Sequence, residues 1–265
     1  MLFNVREDKV KISDTQIDYI SFGSGKKTII MIQGLNTGGI KGAGLSLAFM
    51  YRIFAKEYKV YLFDRRPDVW EGITVRDFAK DIALAMDKLQ IKNADVFGVS
   101  QGGMIAQYLA IDRPDLVHKL VLAVTLSKNN DTVKNVINSW INMTMQGNIK
   151  ELVQDMAIKM YSEEYVKRYK VFMPLLTILQ KPKDTKRFII LAQSCLTCNA
   201  YEELNSIKCP VFVIGGAKDQ VVGESSAVEI ADRLKCEMYL YEKLGHAAYE
   251  EAKDFNKKVL DFLQK

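Results

Sequence analysis

"DVFGVSQGGMIAQYLA" (residues 95–110) sets Ser100 among Gly98, Gly102 and Gly103, directly behind the apolar run "ADVFGV" (94–99). That run has the length and composition of a buried strand. Residues 101–112 then read as a helix, stopped by Pro114. A serine between strand and helix, with glycine two positions before and two after, has the G-x-S-x-G form of a nucleophile held on a sharp turn. Glycines keep side chains clear of such a turn. The helix N-terminus beneath it offers N–H groups to a developing negative charge. The bland reading of the same residues is a helix start packed tightly on a strand, so the surrounding pattern has to decide.

Working outward, short β-branched runs alternate with helical patterns. "KVKI" (9–12) and "QIDYIS" (16–21) read as a strand pair, with "TIIMI" (28–32) and "YKVYLF" (58–63) as buried strands. Residues 74–90 form an amphipathic helix: Thr74 and Asp77 make a capping box, and Val75, Phe78, Ile82, Met86 and Leu89 share one face. "KLVLAVT" (119–125) is the next strand. The alternation then stops, and about 130–205 is mainly helical and carries five of the eleven methionines. It resumes with a strand at 210–215, a helix at 223–235, a strand at 237–241 and a closing helix at 248–264. Such a rhythm implies an α/β protein, its mostly parallel sheet covered on both faces. The expected organisation is a core of residues 1–129 and 206–265, interrupted by a helical insertion at 130–205 over one end of the sheet.

Composition narrows the function classes. The chain has 265 residues, 48% of them hydrophobic, enough for one substantial core. The net charge of +5 comes from scattered lysines, which points to a solvated surface rather than nucleic-acid binding. The opening "MLFNVREDKVKISD" holds no apolar signal region, and runs such as "LVLAVTL" (120–126) are too short for a membrane span, so a cytoplasmic protein with no membrane partner is the default expectation. Cys195 and Cys198 form a lone C-x-x-C, far from His118 and His246, the only two histidines. Free, mostly buried thiols are expected there rather than a metal or redox site, and no cofactor is implied.

A serine hydroxyl needs a base. His118, in "RPDLVHKLVL", precedes a strand and belongs to the wrong edge of the sheet. His246, in "KLGHAAYEE", follows the strand 237–241, on the edge that also carries Ser100. Asp219, in "VIGGAKDQVVG", follows the strand 210–215 on that same edge and can orient the imidazole. Its bland reading is a loop-capping carboxylate. The loop after the sixth strand, "VTLSKNND", has no acid before Asp131, the runner-up. An oxyanion hole can be assembled from the backbone N–H of Gln101 and that of Leu35, which follows Gly34 in "QGLNTGGIKGAG" (33–44). The same loop fails as a phosphate cradle: Ile40 stands where the pattern needs glycine, and no hydroxyl follows Lys41.

These pieces carry a resemblance. With "QGLNTGG", "VYLFDRR", "GVSQGGMIAQYLAIDRPDLVHKLVL", "GGAKD" and "LGH", the chain resembles a cap-bearing member of the α/β-hydrolase superfamily over nearly its whole length. The resemblance implies an eight-stranded, mostly parallel sheet, a helical cap inserted after strand six, and Ser100, Asp219 and His246 as nucleophile, acid and base. Two positions depart from the family pattern. Gln33-Gly34 stands where His-Gly is usual, and "DRRPDVW" lacks the glycines of D-x-R-G-x-G. The expected activity is serine hydrolysis of a small or medium acyl ester or thioester. Acyltransfer, C–C hydrolysis, perhydrolysis and ligand binding without turnover remain open on the same residues. Trp140, Met143, Met145, Met156, Met160, Phe172, Met173 and Leu176 are the apolar residues from which the insertion's substrate wall is expected, with Trp140 and Met145 as the leading substrate contacts; most of them would form the insertion's own core.

Overall fold

Successive side chains along each central strand enter two different cores. Ile30, Ile32, Val96, Leu120, Leu122 and Val213 join one. Their neighbours Ile29, Met31, Phe97, Val99, Val121 and Ile214 join the other. This alternation follows from the strand period of two and requires helices on both faces. The computed structural model describes every residue except 1, 170, 172–174 and 176–180.

The strands are β1 (Arg6–Ile12), β2 (Thr15–Phe22), β3 (Lys27–Ile32), β4 (Tyr58–Phe63), β5 (Ala94–Val99), β6 (Val117–Ala123), β7 (Val211–Gly216) and β8 (Glu237–Tyr241). They form one eight-stranded sheet in the order β1-β2-β4-β3-β5-β6-β7-β8. The β1–β2 and β2–β4 pairs are antiparallel, and every pair from β4–β3 onward is parallel. The C-terminal ends of β3, β4, β5, β7 and β8 therefore share one edge.

One face is covered by α2 (Val75–Lys88), α3 (Gln101–Asp112) and α8 (Ser226–Leu234), the other by α1 (Gly44–Met50) and α10 (Phe255–Gln264). The capping box of α2 forms as read: Thr74 Oγ1 accepts the Asp77 N–H and Asp77 Oδ2 accepts the Thr74 N–H, each at 3.1 Å. The closing helical stretch divides into α9 (Ala248–Glu251) and α10. Helix α1 begins at Gly44, the last residue of the glycine-rich loop 33–44.

Between β6 and β7 run α4 (Asp131–Met145), α5 (Ile149–Met160), α6 (Glu163–Tyr169) and α7 (Thr185–Cys195). Phe172, Met173 and Leu176 lie outside the described residues. Among the described residues no helix is long and apolar enough to cross a membrane.

Candidate active site

Ser100 joins β5 to α3 with φ 53° and ψ −119°, a conformation that costs a non-glycine residue about 1–3 kcal/mol. The surroundings hold it there. Ser100 N–H donates to Ala123 O at 2.8 Å, and Thr125 Oγ1 donates to Ser100 O at 2.7 Å. Gly102 is required by close approach, since a Cβ there would sit 1.9 Å from the carbonyl oxygen of Ile32. The elbow is thus wedged against β3, and its strain is supported by the sheet.

His246 reaches Ser100 from the loop between β8 and α9. Its Nε2 lies 2.9 Å from Ser100 Oγ, and its Nδ1 lies 2.8 Å from Asp219 Oδ2. The other oxygen, Asp219 Oδ1, accepts the N–H groups of Val221 and Val222 at 2.8 and 3.0 Å. A carboxylate only accepts, so the proton of a neutral imidazole belongs on Nδ1 and the lone pair on Nε2 faces the serine. His246 and Asp219 are 3% and 4% exposed, which screens this chain of bonds from water. Gly216 makes the meeting possible: a Cβ there would lie 2.2 Å from Gly245 O, where the histidine loop crosses the loop after β7.

The other histidine sits at the opposite edge. His118 Nδ1 is 2.8 Å from Asp95 Oδ1, and Tyr58 donates its hydroxyl to Asp95 Oδ2 at 2.9 Å. Asp131 is the exposed first residue of α4.

Leu35 and Gln101 lie on the two segments flanking the serine. Gly34 passes so near that a Cβ on it would be 3.2 Å from Ser100 Cβ. The Gln101 side chain, fully buried, places Nε2 2.7 Å from Leu191 O, 3.0 Å from Ser194 Oγ and 3.2 Å from Cys195 Sγ, all on α7. This tie between the elbow and the inserted helices has no local sequence signature.

The segment after β4 meets the loop that carries the Gln33-Gly34 departure. Arg65 Nη2 donates to the carbonyls of Gln33 and Gly34, the latter at 3.0 Å. Asp64 Oδ2 accepts the Ile40 N–H at 3.0 Å. The "DRR" segment therefore grips the loop after β3 at both ends. Arg66 pairs with Asp81 at 2.9 Å and Asp14 at 3.2 Å, while Arg187 Nη2 on α7 donates to the carbonyls of Arg65 and Arg66, each at 3.1 Å. Arg65 lies just past the C-terminal end of β4, and that position is the one sequence signal that could have singled it out.

A cavity of about 290 Å³ adjoins the serine, with Gly34, Leu35 and Val99 on its near side. It is also lined by Met156, Ala157 and Met160 of α5 and by Tyr161 and Glu250. The Tyr161 hydroxyl donates to Glu250. Burial and the Glu250 carboxylate push this phenol's pKa up, so it stays a donor. The junction of α5 and α6 is also tied to the residues after His246. Ala247 N–H donates to Met160 O at 2.7 Å, and Glu251 accepts from the Ser162 N–H at 2.9 Å and hydroxyl at 2.6 Å.

The expected contacts Trp140 and Met145 are not among the residues lining this cavity. Trp140 is 3% exposed and donates its indole N–H to Asp155 Oδ2 at 2.8 Å, which turns it into the packing between α4 and α5. Met145, at the last position of α4, is 63% exposed. The methionines that reach the cavity come one helix later. All four cysteines are free; burial pushes the Cys195 and Cys198 thiols up to about 12.

Residues 27–253 match the family model described as alpha/beta hydrolase fold. The chain belongs to this family. It is 26% identical over 252 residues to a Caulobacter sp. (strain K31) protein provisionally named carbamate hydrolase RutD, covering 91% of each chain. It is 25% identical over 265 residues to the 2-hydroxy-6-oxononadienedioate/2-hydroxy-6-oxononatrienedioate hydrolase of Paraburkholderia xenovorans (strain LB400), covering 94% of this chain and 91% of that one. Among solved structures, the enol-lactonase from Burkholderia xenovorans LB400 superposes with a TM-score of 0.84 at 19% identity, covering 97% of this chain and 100% of that one. The last likeness concerns the fold alone.

Proposed function

We propose that this chain is a serine hydrolase that cleaves small or medium acyl esters or thioesters through an acyl-enzyme. The observation that carries the reading is the chain of bonds from Asp219 through His246 to Ser100, with distances of 2.8 and 2.9 Å. In this reading Ser100 Oγ attacks the acyl carbonyl while His246 Nε2 takes its proton. The N–H groups of Leu35 and Gln101 receive the negative charge on the former carbonyl oxygen. Collapse breaks the bond to the alcohol or thiol, which leaves with the proton from His246. Water, deprotonated by the same nitrogen, then attacks the acyl-serine and releases the acid. Asp219 keeps the imidazole in the tautomer that accepts at Nε2 and stabilises the imidazolium. Residues 130–205 act as the cap, and α5 supplies the acyl wall.

A second reading keeps these residues but takes an oxo-dioate, as the name of the P. xenovorans relative states for that protein. The Glu250 carboxylate, which lines the cavity, speaks for a neutral acyl group instead, because like charges brought together there repel. Turnover of short p-nitrophenyl esters by the wild type, abolished in Ser100→Ala, is the expected result. Equal rates in both proteins refute the reading.

A further inference from the structure

The reaction as proposed leaves one buried cation without a task. Arg65 is 4% exposed, and its Nε and Nη1 are buried with no hydrogen-bond partner. The carboxylate next to it in the chain, Asp64, is engaged by backbone N–H groups, those of Arg65 at 2.8 Å and Ile40 at 3.0 Å. A buried charge with unpaired N–H groups is less favourable than an apolar side chain of the same volume, so packing does not account for this arginine. Burial pushes the guanidinium down to about 10, which leaves it a cation at neutral pH.

What Arg65 holds gives its use. Its two acceptors are the carbonyls of Gln33 and Gly34. The Gly34 carbonyl and the Leu35 N–H belong to one planar peptide unit and point in opposite directions. A donor fixed on that carbonyl sets the tilt of the plane, aims the N–H to the side away from Arg65 and polarises it. At the far end of the loop, Asp64 holds the Ile40 N–H, so the segment is clamped by an acceptor there and a donor here. We propose that Arg65 is a positioning residue for the oxyanion hole: through the Gly34–Leu35 peptide it fixes and strengthens the Leu35 donor. This rests on the serine-hydrolase reading. It also assigns an anchor to the loop that begins at Gln33, where the family pattern has His-Gly.

The test compares wild type, Arg65→Met and Arg65→Lys by amide hydrogen exchange and by ester kinetics. Arg65→Met is expected to speed exchange in a peptide covering 33–40, leave a peptide covering 96–108 unchanged, and lower kcat about 10–100-fold with KM within about threefold. Arg65→Lys, which keeps a charged donor, should fall between the two. Wild-type exchange and kcat in Arg65→Met overturn the proposal, as does equal loosening of both peptides. If the wild type turns over no ester, the functional reading fails separately. The exchange arm then decides the positioning role alone, faster loop exchange supporting it and unchanged exchange overturning it. If Arg65→Met does not fold, Arg65→Lys decides: at least a threefold loss of kcat with faster loop exchange supports the role, and parity with wild type overturns it.

Discussion

Asp219→Asn is the substitution whose outcome the geometry constrains most tightly. The amide has one oxygen and one NH₂, and two sites to fill. The Oδ1 site receives the N–H groups of Val221 and Val222 at 2.8 and 3.0 Å. An NH₂ placed there would set donors against donors in a buried loop, so the amide oxygen has to take that site. The NH₂ then faces His246 Nδ1, which must become an acceptor, and the imidazole proton moves to Nε2. The nitrogen 2.9 Å from Ser100 Oγ then has no lone pair with which to take a proton. Such a wrong tautomer lowers kcat by about 10⁴-fold, or about 5.4 kcal/mol. Folding should suffer far less. The three bonds to Asp219 persist in neutral form, each weaker by about 1 kcal/mol, for at most about 3 kcal/mol in all. Single-turnover and steady-state ester kinetics beside chemical denaturation separate the two effects. A folded Asp219→Asn protein that keeps kcat within tenfold of wild type refutes the reasoning, because it would mean that the carboxylate does not set the tautomer.

Other outcomes follow from the same geometry. His118→Ala should leave ester turnover within about twofold and cost about 1 kcal/mol of stability, read by denaturant melts, since Asp95 keeps the Tyr58 hydroxyl. Lengthening the acyl group from acetate to butyrate buries two methylenes and should raise kcat/KM by up to about 15-fold, at ~0.8 kcal/mol each. Ala157→Phe, filling the wall of the cavity, should flatten that profile while sparing acetate; a profile unchanged by the substitution would move the acyl site elsewhere.

The core and the three aligned polar residues were legible because each has a local cause. Strands 58–63, 94–99 and 237–241 announce themselves by apolar runs, and the α2 start by its Thr74–Asp77 box. Ser100, Asp219 and His246 each follow a strand, and a parallel sheet brings such loops to one edge. What stayed hidden depends on contacts across the chain. Helix α1 is short, begins at a glycine and leaves Leu45 and Phe49 exposed, so no periodic face marks it. The sequence leaves Trp140 available for substrate, whereas its N–H is taken by Asp155 on the next helix. The grip of Arg65 on Gln33 and of Gln101 on α7 spans 32 and 90 or more residues, and no sequence window reports it.

Ser100 as the single nucleophile is the central claim. Treating the folded protein with an alkyl fluorophosphonate and mapping the adduct by peptide mass spectrometry tests it directly. One adduct on the peptide containing Ser100, absent from Ser100→Ala, is the predicted result. An adduct that persists in Ser100→Ala, or that maps to another residue in the wild type, contradicts the account.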